Sequence, residues 1–177
     1  MKRRPIHPRP PLSSLVSLLA VVACQSASPS PQHSDPTFRV VEVIDGDTIE
    51  LAVGDTVERV RLLGIDAPES VHPTVPEQCF GRESSAALRS LLPPGTEVEV
   101  FRDRQLRDHY GRLLLYLYRS EDGLNINHHL VASGLAATSF YEPNTHLQAE
   151  LTRAERQAQR DRVGLWASCD GPDQPVT

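Results

Sequence analysis

The stretch FRVVEVIDGDTIELAVGDTVERVRLLGI, residues 38–65, constrains the fold more than any other part of the chain. Apolar, mostly β-branched residues alternate with polar ones, and the alternation is punctuated by Asp45-Gly46-Asp47 and by Val53-Gly54-Asp55-Thr56. A period of two broken by Asp/Gly clusters reads as short strands joined by tight turns. Strands are predicted over 38–44, 48–53 and 57–65, the last with Val60 and Leu62 on one face and Arg59 and Arg61 on the other.

The rest of the chain is read against these three strands. A Pro-rich loop, APESVHPTVPEQCF, leads into GRESSAALRSLL (81–92), where Ala87, Leu88, Leu91 and Leu92 fall at helical spacing before PPG stops the helix. The strand period returns in TEVEVFR (96–102) and GRLLLYLYR (111–119). NINHHLVASGLA fits a short helix closing at Gly134. NTHLQAELTRAERQAQRDRVGLW offers an Asn144 or Thr145 cap and a long amphipathic helix bearing Leu147, Leu151, Ala154 and Ala158, after which Trp166 packs back on the domain. Five short strands with a helix between the third and fourth predict a five-stranded Greek-key barrel of the OB type with three helices.

With 177 residues, 39% of them hydrophobic and 23% charged, the chain has enough apolar mass for one compact core. Its first residues belong to export instead. MKRRPIHPRP is basic, and PLSSLVSLLAVVAC is a short apolar run ending in small residues, the pattern of a signal peptide over 1–23. The run from Leu12 to Ala23 is too short for a spanning helix, which needs about 20 residues. Val21-Val22-Ala23-Cys24 looks like a bacterial lipobox, with Cys24 acylated after cleavage; plain secretion is the other reading. Residues 24–37, Ser/Pro-rich and without periodicity, read as a flexible tether, followed by the domain over 38–169 and a flexible tail over 170–177. The anchored protein is expected to be a monomer held at a membrane surface through its acyl chains.

Cleavage removes four basic residues and no acidic ones, so the formal charge moves from −5 to −9. Such a chain is excluded from capturing nucleic acid by broad electrostatics and needs a locally basic or cation-neutralised site. Every basic residue after Cys24 is Arg, the side chain best shaped to grip phosphate. Cys79 and Cys169 remain as an even pair in an exported chain, and a disulfide is predicted between them.

Three blocks carry candidate chemistry: DGDT (45–48), RLLGIDAPES (61–70) and DHYGR (108–112). They supply Asp47, Asp66 and Glu69 as carboxylates and Arg61 and Arg112 as guanidiniums. Hard oxygen donors with few histidines nearby suit Ca²⁺ or Mg²⁺ rather than zinc. Arginines beside such a cation suit a phosphorylated substrate, and a carboxylate beside it can polarise water. Singly, each block has a bland reading: Asp-Gly-Asp is a turn, Asp66-Ala67-Pro68-Glu69 an acidic loop, Arg61 a salt-bridged surface residue. An EF-hand is excluded, because Ile49 and Glu50 stand where a ligand and the required Gly belong. His128 and His129 are adjacent and so point to different helix faces, which argues against a metal site there.

Taken in order, IDGDT, RLLGIDAPE, FGRESSAALRSLL, DHYGR with LLLYLY, and YEPNTH with RAERQAQRDRVGLW resemble the staphylococcal nuclease, or thermonuclease, family from Phe38 to about Ser168. The resemblance implies an OB barrel with three helices, in agreement with the element count. It implies Ca²⁺ held by Asp47, Asp66 and the backbone carbonyl of Ala67, where family members often have Thr, with Asp45 close by. Glu69 resembles the general base that activates water, and Arg61 and Arg112 the pair that binds the phosphodiester and stabilises its transition state. Tyr110 and Tyr141 match nucleotide-pocket tyrosines. His109 stands where staphylococcal nuclease has a Lys, and Ser139 where it has another Tyr, departures that bear on how the nucleotide end is held. The resulting expectation is a Ca²⁺-dependent nuclease hydrolysing phosphodiester bonds of DNA and RNA at the cell surface, with the 5′-oxygen leaving and 3′-phosphate ends produced. The alternatives are a non-catalytic OB module binding nucleic acid or protein, and an envelope lipoprotein whose acidic turns bind Ca²⁺ for stability alone.

Overall fold

The computed structural model describes residues 38–70, 76–169 and 171–176. The predicted signal peptide, Cys24 and the tether over 24–37 lie outside the described residues.

Five strands close a barrel. β1 (Phe38–Asp45), β2 (Thr48–Val53) and β3 (Thr56–Leu62) form an antiparallel meander, and β5 (Glu97–Arg107) pairs with β1 on one side and with β6 (Leu113–Arg119) on the other. Closure comes from a parallel pairing of β3 with β6, in the register Val60↔Leu113, Arg61↔Leu114 and Leu62↔Leu115. Three two-residue strands complete the sheets: β4 (Ile65–Asp66) pairs with β8 (Ala137–Thr138), and β7 (Leu124–Asn125) extends the barrel beside β6. The third predicted strand therefore stops at Leu62; a turn at Leu63-Gly64 separates it from β4.

β1 departs from strict alternation. Val40 and Val43 are its buried residues, three apart, because the register shift between Val40 and Glu42 inserts a bulge that flips the side-chain parity; a second shift follows between Val43 and Asp45. Beyond the bulges the Asp45-Gly46-Asp47 turn sends its carboxylates to different partners, Asp45 to Ser70 and Ser85, and Asp47 to Thr48, Arg61 and the Ala67 N–H.

The helices cover the barrel ends. α1 (Gly81–Leu91) buries Leu88, and α2 (Ile126–Ala132), capped by the Asn125 side chain accepting from His128 N–H, buries Ile126, Leu130 and Val131. Its chain leaves the helix through Gly134, as predicted. α3 (Gln148–Asp161) lays Leu151, Ala154 and Ala158 on the core, and α4 (Leu165–Ser168) adds one turn. The predicted α3 cap needs correction. Neither Asn144 nor Thr145 caps it: the helix starts at Gln148 with no side-chain cap bond. Asn144 is buried and spends its amide on β5, accepting from Gln105 N–H at 2.7 Å and donating to Gln105 O at 2.9 Å.

The core runs from Val40, Ile49, Leu51, Val60 and Leu62 through Leu115 and Leu117 to the helix residues above. Asn127 is a fully buried polar group within it, and both ends of its amide are used: Leu117 N–H donates to Oδ1 at 2.9 Å and Nδ2 donates to Leu63 O at 2.8 Å. One side chain thus ties α2 to β6 and to the loop that leads to β4.

Candidate active site

The turn between β1 and β2 sets the first carboxylates. Asp47 is only 8% exposed, and every oxygen has a partner. Its Oδ1 accepts from Thr48 Oγ1 at 2.9 Å and its Oδ2 from Ala67 N–H at 3.0 Å, while its main-chain carbonyl accepts from Leu62 N–H at 2.9 Å. Gly46 is required by proximity: a Cβ there would stand 2.6 Å from Ala67 Cβ and 2.5 Å from Ser84 Oγ.

Arg61, on β3, joins two of the predicted metal ligands. Its Nη1 donates to Leu62 O at 2.9 Å and Ile65 O at 2.7 Å, which fixes the guanidinium plane. Its Nη2 lies 2.5 Å from Asp66 Oδ1 and 3.1 Å from Asp47 Oδ2. This is a half-buried charge cluster, not the surface salt bridge that the strand pattern alone allows. Burial, the largest cause, pushes the Asp66 carboxyl above its ordinary value; Arg61 opposes the shift, and the negative charges of Asp47 and Asp173 add to it.

These residues fit a hard cation. Two carboxylate oxygens converging within 3.1 Å of one nitrogen are spaced as ligands of a single Ca²⁺ can be, with Ca–O distances of about 2.3–2.6 Å. Like charges held together in a half-buried place are stabilised by a divalent ion. Among the described residues no three His, Cys, Asp or Glu side chains cluster as metal ligands. The set is two carboxylates, and the other oxygens of a six- to eight-coordinate ion have to come from main-chain carbonyls, water or substrate.

Glu69 follows β4 on the same segment. Its side chain hydrogen-bonds to that of Asp45. Asp45 also accepts from Ser70 Oγ at 2.6 Å, Ser85 Oγ at 2.5 Å and Gly46 N–H at 2.8 Å. Burial is the largest single influence on Asp45 and raises its pKa, but the hydrogen bonds from Glu69, Ser70, Ser85 and Gly46 together outweigh it and hold the carboxyl below its ordinary value. The Glu69 main chain is held as well: its N–H donates to Gln78 Oε1 at 2.7 Å, and its carbonyl accepts from Gln78 N–H at 2.8 Å. That carbonyl would lie 2.4 Å from a Cβ on Gly81, so glycine at the start of α1 lets the helix approach the Glu69 segment.

Arg112 is brought to Arg61 by the parallel β3–β6 pairing, because β6 begins one residue later, opposite Val60. Asp108 shapes the intervening turn. Its Oδ1 accepts from Tyr110 N–H and Arg112 N–H, each at 2.9 Å, and its Oδ2 from Arg112 Nε at 2.7 Å. The guanidinium carbon of Arg112 lies 5.4 Å from the centre of the Tyr110 ring.

Arg61, Arg112, His109, Tyr110, Tyr141 and Ser139 line one cavity of about 440 Å³. Tyr110 and Tyr141 are 74% and 76% exposed, so their rings are free to stack on an aromatic ligand. The Tyr110 ring packs against His109 in a tilted arrangement, with centroids 3.7 Å apart and planes at 42°. Arg61 is the link between this cavity and the carboxylates. Cys79 and Cys169 form a disulfide with Cα atoms 6.1 Å apart.

Several supporting residues escaped the sequence reading. Ser84 and Ser85 are fully buried on the apolar side of α1, and a polar pair at core-facing helical positions is the signal that could have found them. Asp108, four residues before Arg112, carried the spacing of a charge pair. Gln78 carried no signal.

Residues 59–168 match the family described as "Staphylococcal nuclease homologue". The chain is 34% identical over 135 residues to the thermonuclease of Staphylococcus hyicus, covering 76% of this chain and 78% of that protein. It is 35% identical over 130 residues to the thermonuclease of Staphylococcus intermedius, covering 73% and 76% of the two chains. It is also 34% identical over 141 residues to endonuclease YncB of Bacillus subtilis (strain 168), covering 76% and 66%. The matched family segment contains Arg61, Asp66, Glu69 and Arg112, and the barrel and its helices have the expected order: the chain belongs to the staphylococcal nuclease family.

Proposed function

We propose that the chain is a Ca²⁺-dependent nuclease that hydrolyses phosphodiester bonds of DNA and RNA and leaves 3′-phosphate ends. The observation that carries this reading is Arg61, whose guanidinium bridges Asp47 and Asp66 while lining the cavity that also holds Arg112. Thermonucleases and an endonuclease among the relatives support the phosphodiester hydrolase class.

Asp47, Asp66 and the Ala67 carbonyl hold Ca²⁺, which supplies charge neutralisation at the phosphate. Glu69 takes a proton from the attacking water, whose oxygen forms the new bond to phosphorus as the bond to the 5′-oxygen breaks. Arg61 and Arg112 donate to the equatorial phosphate oxygens, where negative charge builds in the transition state. Asp45 orients Glu69 through their hydrogen bond. Tyr110, Tyr141 and His109 receive the nucleotide, and with Arg61 and Arg112 directed at phosphate, backbone contacts dominate over base-specific ones. Outside the cell, acylated Cys24 and the tether over 24–37 hold the monomeric domain at the membrane surface.

The test is hydrolysis of DNA and of RNA by the purified chain in Ca²⁺ and in excess chelator, with product ends mapped. Degradation in Ca²⁺ that stops on chelation supports the reading. No degradation in Ca²⁺, or equal degradation in chelator, overturns it. Mass spectrometry of membrane-extracted protein checks the acyl chains on Cys24.

A further inference from the structure

The short segment beyond the family match packs against the residues that hold the Glu69 main chain. Residues 171–176 belong by sequence to a flexible tail, yet they run against residues 77–79: Gln78 bridges Pro175, Cys79 N–H donates to Gln174 O at 2.7 Å, and Val176 N–H donates to Glu77 O at 3.4 Å. The Cys79–Cys169 disulfide ties the same stretch to the end of α4 across 90 residues of sequence. Gln78 stands between the segment and the site. Toward the site it holds both main-chain groups of Glu69, accepting at 2.7 Å and donating at 2.8 Å; toward the segment its Nε2 donates to Asp173 Oδ1 at 3.3 Å. With Asp173 taking the amide nitrogen, Oε1 is left facing the Glu69 N–H, so the segment selects the orientation of the Gln78 amide that Glu69 needs.

We propose that Gln78 is a positioning residue for Glu69, held in place by a disulfide-tethered strap formed by residues 171–176. The proposal rests on the reading of Glu69 as the base that activates water. A base has to stand within hydrogen-bond reach of the proton it removes, and a displacement of about 1 Å costs about a hundredfold in rate. Among the described residues the strap's hydrogen bonds to the rest of the domain fall on residues 77–79 and not on Asp47, Asp66, Arg61, Arg112 or Tyr141, so it acts first on turnover; its reach to a cation ligand is the charge of Asp173 acting on Asp66.

The experiment uses the full chain with Ca²⁺ and a DNA substrate. Gln78→Ala is expected to lower kcat about ten- to a hundredfold, with KM and the Ca²⁺ half-saturation within about twofold of wild type. Gln78→Glu combined with Asp173→Asn, which keeps the acceptor for the Glu69 N–H and exchanges donor and acceptor across the contact with the strap, is expected to recover most of that loss. Dithiothreitol, which converts the disulfide to two thiols as it is oxidised to its own cyclic disulfide, is expected to lower kcat of the wild type and to add nothing to Gln78→Ala. Amide hydrogen exchange at Glu69, which needs no activity, is expected to speed up in Gln78→Ala and after reduction. Wild-type kcat in Gln78→Ala overturns the proposal, as does unchanged kcat and unchanged Glu69 exchange in protein shown to carry Cys79 and Cys169 as free thiols. Should the wild type hydrolyse nothing, the reading of Glu69 as base fails, while the exchange rates still decide whether Gln78 and the strap hold it.

Discussion

Gly46→Ala adds one methyl group and removes no ligand, base or phosphate donor, so its effect isolates how the Asp45-Gly46-Asp47 turn is pressed against the Asp66–Glu69 segment. The added Cβ would lie 2.5 Å from Ser84 Oγ, 2.6 Å from Ala67 Cβ and 3.2 Å from Ser84 Cβ. Ordinary carbon contacts are about 3.5–4.0 Å, so a shift of about 1 Å is needed on the Ala67 side. Ser84 does not absorb it: the residue is fully buried, and its Oγ donates to Leu135 O at 2.6 Å. Ala67 therefore moves, and its N–H is the donor to Asp47 Oδ2. Overpacking of this size costs about 1–3 kcal/mol of stability. The same shift applied between Asp66 and Glu69 is expected to lower kcat/KM about a hundredfold, equivalent to about 2.7 kcal/mol.

The assay combines Ca²⁺ titration, steady-state kinetics and urea unfolding of Gly46→Ala, Ala67→Gly and the double variant. Ala67→Gly removes one of the two colliding atoms, so the double variant is expected to recover part of both losses, with a coupling energy inside the range of about 0.5–3 kcal/mol seen for contacting pairs. Wild-type stability and activity in Gly46→Ala would show that the turn and the segment yield freely. Strict additivity in the double variant would show that Ala67 is not what the methyl group meets.

Glu69→Gln keeps the shape of the proposed base and removes its basicity; kcat is expected to fall about 10²- to 10⁴-fold with Ca²⁺ half-saturation little changed, and undiminished turnover would remove Glu69 from the mechanism. Asn127→Ala leaves Leu117 N–H and Leu63 O buried without their partner, and urea unfolding is expected to register a loss of about 2–4 kcal/mol. Asp108 tests pH. Burial, its largest influence, acts to raise the carboxyl, but hydrogen bonds from the Arg112 side chain and from the Arg112 and Tyr110 N–H groups, with the Arg112 charge, hold it below the ordinary value of 3.8. A depressed folded pKa makes the contribution fully present above that value and lost as pH falls through the folded one. The difference in unfolding free energy between wild type and Asp108→Asn is therefore expected to narrow as the solution is acidified below 3.8, and a constant difference would exclude the carboxylate as its source.

The barrel was legible because its strands alternate and its turns are short, and the helices because their apolar residues recur at helical spacing. Local signals misled where a residue is used across the fold. Asn144 has the look of a cap, but capping offers it one backbone N–H, whereas β5 offers it the N–H and the carbonyl of Gln105 together, and the buried pair wins. β1 hid its parity for a similar reason, since a bulge is a response to the partner strand and leaves little trace in the bulged one. The site divides along the same line. Asp47, Asp66, Glu69, Arg61 and Arg112 stand in motifs in family order, while the contact that brings Arg112 to Arg61, Arg61 opposite Leu114, depends on a parallel pairing between strands about fifty residues apart. Gln78 stands at the far end of this scale. A glutamine in a Pro-rich loop satisfies no periodicity and no motif, and its importance arises only when the chain folds Glu69 against one side of it and residues 171–176 against the other. A side chain whose work is to orient another is specified by two tertiary contacts at once, so it becomes readable only after both neighbours have been placed.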